Sequence, residues 1–391
     1  MRFTIPKNIK DVLFKLKNND IDAYLVGGCV RDMLMGKTPH DYDITSSADP
    51  EKIKEIFDKT IDTGIKHGTV TVLSDGEPVE ITQMRTDGEY IDHRHPVGVL
   101  PAKKIEEDLL RRDFTVNAMA LDHSGKIIDI SNGLTDLENG VIRAVGDPYR
   151  RFDEDALRIM RAYRFCSQLE FKIEAQTEKA ALKMSNLLYN ISAERINQEL
   201  CKLLVGQNPK IIAPLINSGG LKQYGLSSIK DSDRLNKAEN RLDIRLSSLI
   251  ILCGADPKSV CTSLKTDNKT KKRVIWYCER LNNVHTLANA SDIAIKSMIN
   301  TADREMFEHL LSAAQVLFDN DISGCKTLYH EIMNDPIFLN EMKINGKKLC
   351  EIGIHGEAVG RVMKALQQEV WKNPKINDEQ TLCDIAKRLE R

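Results

Sequence analysis

Two aspartates in an alternating pattern are the first candidates for chemistry in this sequence. Asp41 and Asp43 alternate with Tyr42 and Ile44, and in a β-strand every second side chain leaves the same face. Two carboxylates on one face offer the hard oxygen ligands that Mg²⁺ prefers, and two such ions roughly 3.5–4 Å apart activate a hydroxyl and stabilise a leaving pyrophosphate. Glu80, in an apolar strand-like run, is the candidate third carboxylate.

The segment before the aspartates has the composition of a phosphate site. A strand-like run ends in Gly27 and Gly28, and a helical pattern follows at once. Backbone amides without side chains can approach a phosphate closely, and the start of a helix favours negative charge. Arg31, one turn later, can add a charge-assisted contact. An Asp-x-Asp pair alone is common in turns, so this preceding unit is what makes the pair a candidate active site.

Together these residues resemble the signature of the DNA polymerase β nucleotidyltransferase superfamily, a glycine pair followed by Asp-x-Asp. The longer string over residues 25–44 resembles the bacterial class II tRNA nucleotidyltransferases and their relatives, the bacterial poly(A) polymerases. The resemblance is specific over about residues 20–205, thin over 206–340 and moderate near 341–365. It implies that Asp41, Asp43 and Glu80 are catalytic and that the two aspartates bind metal.

A second motif starts at Arg111 and ends at Ala118, and it resembles the family motif that contacts the ribose and favours NTP over dNTP. Arg112 as a donor beside Asp113 as an acceptor can engage a 2′-hydroxyl in both of its hydrogen-bonding roles. Asn117 belongs to the same motif and is expected to bind the nucleotide. The alternative for the pair is an ordinary Arg–Asp salt bridge in a helix.

The segment from Glu154 to Arg158 suggests how a base is chosen. On one helix Asp155 and Arg158 would lie side by side, with Glu154 also reaching Arg158. Cytosine and adenine each present an amino donor next to a ring-nitrogen acceptor, which an Asp beside an Arg complements. Uracil and guanine present the reverse order, and each buried unpaired group costs about 1–3 kcal/mol. The pattern resembles the family's Glu-Asp-x-x-Arg template for CTP and ATP, and the alternative is an intrahelical ion pair.

Further positions take their roles from the resemblance alone. Arg161 and Arg164 match arginines that face the nucleotide and its phosphates, and Gly28 and Arg31 belong to the same nucleotide site. A fifth motif over residues 191–200 places Ser192 and Arg195 at a helix start. Its acidic residues are interpreted as supports of the base-reading helix; they are Glu194 and Glu199.

Three other segments match family features. Residues 90–97, running on to 106–109, resemble the flexible loop of members that add the terminal A, so shortening residues 90–104 should cripple A addition and spare C addition. Asp129 and Gly133 resemble a short motif with a structural or hinge role. Residues 344–349, with Gly356 and Gly360, resemble the tail thought to hold the tRNA elbow.

The elements that must position these residues change along the chain. Up to about residue 145 short strand-like runs alternate with helices and turn signals; beyond about residue 150 apolar residues recur at helical spacing and strand signals nearly vanish. We therefore predict an α+β protein, with a mixed α/β nucleotidyltransferase head followed by an all-helical neck, body and tail. The predicted domains are 1–145, 146–206, 207–285 and 286–391.

Composition narrows the class of protein. The 391 residues are 41% hydrophobic and 29% charged, and no apolar run approaches the roughly 20 residues of a membrane span. The first residues lack the pattern of a secretory signal, so the cytoplasm is expected. Nine cysteines without a C-x-x-C pair argue against disulfides and zinc. The net charge is −1, but basic residues cluster locally at 150–164 and at 265–273. For the second cluster, an ordinary solvated helix face is the alternative interpretation.

These observations predict template-independent addition of CCA to the 3′ end of tRNA from CTP and ATP, with Mg²⁺ as cofactor and no obligate protein partner inferred. A poly(A) polymerase and a tRNA nucleotidyltransferase that adds only A are alternatives within the superfamily. A non-catalytic RNA-binding protein built on the same head is the alternative of another class.

Overall fold

The computed structural model describes residues 5–64, 68–87, 99–318 and 321–390. The chain forms two compact units. Unit 1 runs to Ser232 and includes Lys258–Thr266, and unit 2 comprises Asp233–Pro257 and the chain from Asp267 onward. The predicted fold class is confirmed, because a mixed sheet opens the chain and helices make up most of the rest. The four predicted domain ranges stay a prediction beside this division into two units.

A seven-stranded sheet forms the head, in the order β3-β4-β5-β2-β1-β8-β9. Only β2 and β5 run parallel; the other neighbours in this sheet are antiparallel. The strands are β1 (Ala23–Val26), β2 (Asp43–Ser46), β3 (Thr60–Gly64), β4 (Thr69–Ser74), β5 (Glu77–Gln83), β8 (Met119–Leu121) and β9 (Ile127–Asp129), and a separate ribbon pairs β6 (Arg85–Asp87) with β7 (Val99–Pro101).

Local sequence explains much of the head. Asp75 and Gly76, both with positive φ, join β4 and β5 as the two-residue turn whose twist suits a hairpin. Helix α1 (Lys7–Lys17) buries an apolar stripe at helical spacing against the sheet. The other head helices are α2 (Gly28–Leu34), α3 (Pro50–Ile56), α4 (Ile105–Leu110) and α5 (Gly133–Glu138).

Asp129 and Gly133, for which a structural or hinge role is expected, make close contacts with the backbone. Both Asp129 carboxylate oxygens accept backbone N–H groups, one of them from Gly133 at 2.9 Å. A Cβ on Gly133 would lie 2.3 Å from the carbonyl oxygen of Thr115. Only glycine allows this approach of α5 to the turn at Thr115–Asn117.

The rest of unit 1 is helical apart from one short ladder. β10 (Val141–Ile142) pairs in parallel with β11 (Lys172–Ile173), a small departure from the all-helical neck. Helices α7 and α9 pack against each other. The helices are α6 (Pro148–Glu154), α7 (Leu157–Leu169), α8 (Ala175–Lys183), α9 (Ala193–Leu204), α10 (Ala213–Asn217) and, crossing the boundary of the units, α13 (Pro257–Ser263).

Unit 2 is built from helices with two apolar clusters. They are α11 (Asp233–Lys237), α12 (Leu242–Leu252), α14 (Asn268–Leu281), α15 (Val284–Ala288), α16 (Asp292–Asn300), α17 (Arg304–Leu317), α18 (Ser323–Ile332), α19 (Gly346–Glu351), α20 (Glu357–Lys372) and α21 (Glu379–Glu390). The buried ammonium of Lys296 donates to the Trp371 carbonyl at 2.8 Å and pairs with Asp335, which ties α16 to α20. Among the described residues, no helix is long and apolar enough to cross a membrane.

Candidate active site

The three candidate carboxylates line one cleft of about 730 Å³ in the head. Asp43 opens β2, and the parallel register pairs it with Glu80 on β5. Asp41 lies just before β2 rather than within it, which corrects the expectation that one strand carries both aspartates. All three carboxylates nevertheless line the cleft. The alternating pattern therefore predicted the correct side of the sheet but placed the first residue of β2 too early.

Asp43 lies in a mixed electrostatic environment. Partial burial raises the pKa of its carboxyl; the guanidinium of Arg112 opposes that shift and the charge on Asp41 reinforces it. Arg112 itself is held by Asp108, with 2.9 Å between Nη2 and Oδ2. A Cβ on Gly27 would lie 3.0 Å from Nη1 of Arg112. Gly27 thus makes room for Arg112 beside Asp43.

The donor set suits a hard divalent cation that arrives with its substrate. Among the described residues, no three His, Cys, Asp or Glu side chains gather closely enough to form a metal cage. Magnesium is usually held by one or two carboxylates together with substrate phosphates and water. Asp41 and Asp43 in an open cleft fit that mode of binding, and Glu80 lies on the neighbouring strand.

A chain of hydrogen bonds joins four of the candidate nucleotide-binding residues. Nη1 of Arg31 donates to Asn117 at 2.8 Å, and Asn117 donates to Asp113 at 3.3 Å. Nε of Arg161 donates to the other oxygen of Asp113 at 2.7 Å. The structure therefore links the glycine-pair helix α2, the second motif and helix α7 through three buried polar side chains and the partly exposed Arg161.

Asp113 is charged in spite of its burial. Burial alone would raise the pKa of this carboxyl, but the adjacent Arg161 guanidinium, helped by Arg158 and Asn117, lowers it to about 2. A buried carboxylate keeps its charge only when paired and hydrogen-bonded in this way.

Asp155 and Arg158 differ from the expected side-by-side pair on one helix. Asp155 has extended backbone at the end of α6, and α7 begins at Leu157. One Asp155 oxygen accepts the backbone N–H of Leu157 at 3.1 Å, and the other lies 3.5 Å from Arg195. The Asp155 side chain thus accepts the first N–H of α7 from outside the helix, which sequence periodicity could not show because both flanking segments are helical.

Arg158 points into the protein. Its Nη1 donates to Glu154 at 3.0 Å and to the Arg151 carbonyl at 3.1 Å, and its Nη2 donates to the Arg111 carbonyl at 3.1 Å. The Glu154–Arg158 contact at i,i+4 is present as expected. These bonds fix the arginine firmly beside the second motif.

The two acidic residues of the fifth motif have different partners. Glu199 pairs with Arg164 of α7 at 2.5 Å, and both side chains are buried, so it supports that helix as expected. Glu194 instead pairs with Lys265 at 2.5 Å on an exposed surface. The expectation that Glu194 also supports α7 is wrong, because on α9 it lies more than one turn from Glu199 and faces outward.

Phe165 was missed by the sequence reasoning. The guanidinium carbons of Arg31, Arg161 and Arg164 lie 5.4, 5.3 and 3.8 Å from the centre of its ring. Such cation–π contacts stabilise a cation over an aromatic face. The available signal was its position four residues after Arg161, which puts both on one side of a helix.

The loop at 90–97 lies outside the described residues.

Comparisons with known proteins agree with this geometry. The family model "Poly A polymerase head domain" matches residues 23–143, and "Probable RNA and SrmB- binding site of polymerase A" matches residues 170–226. The CCA-adding enzyme of Enterococcus faecalis is 49% identical over 98% of this chain and 97% of its own. That of Ligilactobacillus salivarius is 41% identical over 98% and 96%.

Solved structures give the same result. The CCA-adding enzyme of Bacillus stearothermophilus in complex with CTP superposes with a TM-score of 0.81 at 30% identity, covering 99% of this chain and 98% of the other. The Thermotoga maritima CCA-adding enzyme complexed with tRNA, at 20% identity and a TM-score of 0.71, shares the fold over 99% and 97% of the two chains. On the strength of the relatives that match it over almost their whole length, this chain belongs to the CCA-adding enzyme family of nucleotidyltransferases.

Proposed function

We propose that this protein adds CCA to the 3′ end of tRNA, using CTP and ATP and releasing pyrophosphate. The observation that carries the proposal is the pairing of Asp43 with Glu80 beside Asp41 in one cleft, within a chain related to CCA-adding enzymes from end to end. The 3′-oxygen of tRNA forms a bond to the α-phosphorus as the bond to the β-phosphate oxygen breaks. The cytoplasm, which holds these substrates, is the proposed location.

Asp41 and Asp43 would hold divalent cations, proposed as Mg²⁺, with triphosphate oxygens and water as the other ligands. When bound, such ions supply Lewis-acid stabilisation of the attacking and leaving oxygens. The chain's own part is positioning: Gly27 leaves room for Arg112, and Arg112 places positive charge beside Asp43. Glu80 supports the same cleft from β5.

Nucleotide recognition is assigned to the residues around α7. Arg112 and Asp113 are proposed to contact the ribose, and Asp155 and Arg158 the base. Arg158 is anchored by two backbone carbonyls, which gives a fixed donor, as a template for one edge of a base requires. The remaining proposed nucleotide contacts are Gly28, Arg31, Asn117, Arg161 and Arg164.

The decisive experiment offers the purified protein three tRNAs, ending before CCA, after C and after CC, with each NTP alone and in pairs. We expect C, C and A to be added in turn and UTP and GTP to be rejected. Addition of A only to the tRNA ending in CC would instead identify an enzyme that adds only A. A long tail of A on every substrate would identify a poly(A) polymerase.

The metal assignment has its own test in the same assay. Asp43→Ala should abolish incorporation while leaving tRNA binding nearly intact, because the carboxylate serves the cation and not the RNA. Asp49→Ala, at the N-cap of α3, is the matched control and should keep its activity. Incorporation by Asp43→Ala at the wild-type rate would remove the active-site assignment.

Asp155→Asn tests the reading of the base. The substitution is made at Asp155 because its side chain is more exposed than that of Arg158. Arg158 is buried and hydrogen-bonded, so a substitution there would disrupt α7. An amide can present a donor where the carboxylate only accepts, so the preference for CTP over UTP should fall. An unchanged preference would show that the base is read elsewhere.

A further inference from the structure

Every strong acceptor position on Asp113 is already in use. Nε and Nη2 of Arg161 both reach Oδ2, at 2.7 and 2.5 Å. Oδ1 accepts the backbone N–H of Phe114 at 2.8 Å and the Asn117 amide at 3.3 Å. A carboxylate has about four lone-pair positions, and here three hydrogen-bond donors, together with the close Nη2 of Arg161, occupy them.

This crowding restricts how a sugar can bind. A ribose 2′-hydroxyl that donates to Asp113 has to displace one of these neighbours, and the Asn117 hydrogen bond is the longest contact among them. Displacing Asn117 leaves the hydrogen bond and the ion-pair contact of Arg161 intact, so the carboxylate keeps its place and its charge. Displacing Arg161 instead would leave a buried carboxylate without its cation, which is the costlier choice.

Arg161 is well built to hold the carboxylate still. Its guanidinium lies 5.3 Å from the centre of the Phe165 ring, and two of its three nitrogens are committed to Asp113. A planar guanidinium that meets one carboxylate oxygen with two nitrogens restricts direction as well as distance. A lysine at the same place would supply charge without that orientation.

We propose that Arg161 is a positioning residue for sugar selection, which holds Asp113 so that Oδ1 can accept the 2′-hydroxyl of an incoming ribonucleotide. The inference deepens the proposed function and rests on it. It adds a second role to the nucleotide contact proposed above for Arg161, because this effect passes through Asp113 and depends on the sugar rather than on the phosphates.

The test measures kcat/KM for CTP and for dCTP on a tRNA that ends before CCA. In Arg161→Lys the ratio of the two values should fall roughly tenfold, since a charged hydrogen bond to the 2′-hydroxyl loses its alignment. In Arg161→Gln, which also removes the charge, the ratio should fall by up to about a hundredfold. The wild-type enzyme should favour CTP clearly.

Arg143→Lys is the matched control. Arg143 also binds an aspartate, Asp136, through Nε at 3.0 Å, and it lies in the same unit without contacting Asp113. Its variant should keep the wild-type ratio, while circular dichroism checks that all variants are folded. Arg161→Lys keeps the charge and is the variant chosen to remain folded if Arg161→Gln does not.

The outcomes are distinct. If Arg161→Lys lowers kcat/KM for CTP and dCTP by the same factor, Arg161 serves the phosphates and the inference is overturned. A wild-type ratio near one overturns it as well. If the wild-type enzyme adds no C to this tRNA, the proposed function itself fails, whatever the variants do.

Discussion

Helix α9 carries two glutamates with cationic partners at the same distance and very different burial. The side chains of Glu199 and Arg164 are 9% and 10% exposed, whereas those of Glu194 and Lys265 are 51% and 60% exposed. Removing one partner of a buried pair leaves an uncompensated charge and costs ~3–5 kcal/mol. Glu199→Ala should therefore destabilise unit 1 by about that amount, and Glu194→Ala should have no measurable effect.

The assay has to report on unit 1. Both tryptophans, Trp276 and Trp371, belong to unit 2, so intrinsic tryptophan fluorescence follows the other unit. Amide hydrogen exchange of α9 and α7 is the direct measurement, because exchange through opening accelerates on the order of tenfold for each 1.4 kcal/mol lost. Glu199→Ala should accelerate it by a hundredfold or more.

The same variants separate stability from function. Glu199→Gln keeps a hydrogen-bond acceptor for Arg164 and should fall between the wild type and Glu199→Ala. We expect KM for CTP to rise in the order of the exchange rates, since Arg164 loses its orientation beside Phe165. Equal exchange rates in Glu199→Ala and Glu194→Ala would refute the reasoning from burial.

Two further predictions concern the second motif and its neighbour. Arg161 holds the pKa of Asp113 at about 2 against an unfolded value of 3.8, so this carboxylate contributes about 2 kcal/mol of stability that is present above pH 4 and lost as the pH falls towards 2. The stability difference between wild type and Asp113→Asn, measured by urea denaturation followed by circular dichroism, should shrink over that range; a difference independent of pH contradicts the pairing. Gly133→Ala should destabilise the protein by about 1–3 kcal/mol, because its Cβ would meet a carbonyl oxygen at 2.3 Å. Gly324→Ala should not destabilise the protein, because no atom lies within 4 Å of the added Cβ. Equal melting temperatures for the two variants would count against the steric argument.

Sequence alone predicted those features that depend on residue type and short spacing. The change from strand-like to helical periodicity located the head, and the alternation at Asp41 and Asp43 identified the side of the sheet that bears the cleft. Both work because side-chain direction follows backbone periodicity.

Features that depend on tertiary contacts were not predictable in this way. The break before Leu157 interrupts a continuous helical pattern, and at this break Asp155 lies 3.5 Å from Arg195 of α9. The outward direction of Glu194 follows from the packing of α9 on α7. The gathering of three arginines around Phe165 joins α2 to α7 across more than a hundred residues of sequence, a distance that no local pattern spans.

The edges of the head sheet bear on how the protein behaves at high concentration. An exposed edge strand is a template on which another chain can add a strand and begin to aggregate. β3, at one edge, changes register between Ile61 and Gly64 and carries the charged pair of Asp62 with Lys54. β9, at the other edge, is three residues long and ends at Asp129. The carboxylate of Asp129 accepts the backbone N–H groups of Ser131 and Gly133, which follow the strand. Each edge thus offers too short or too irregular a ladder for a second copy to extend, which favours a head that stays unaggregated when crowded.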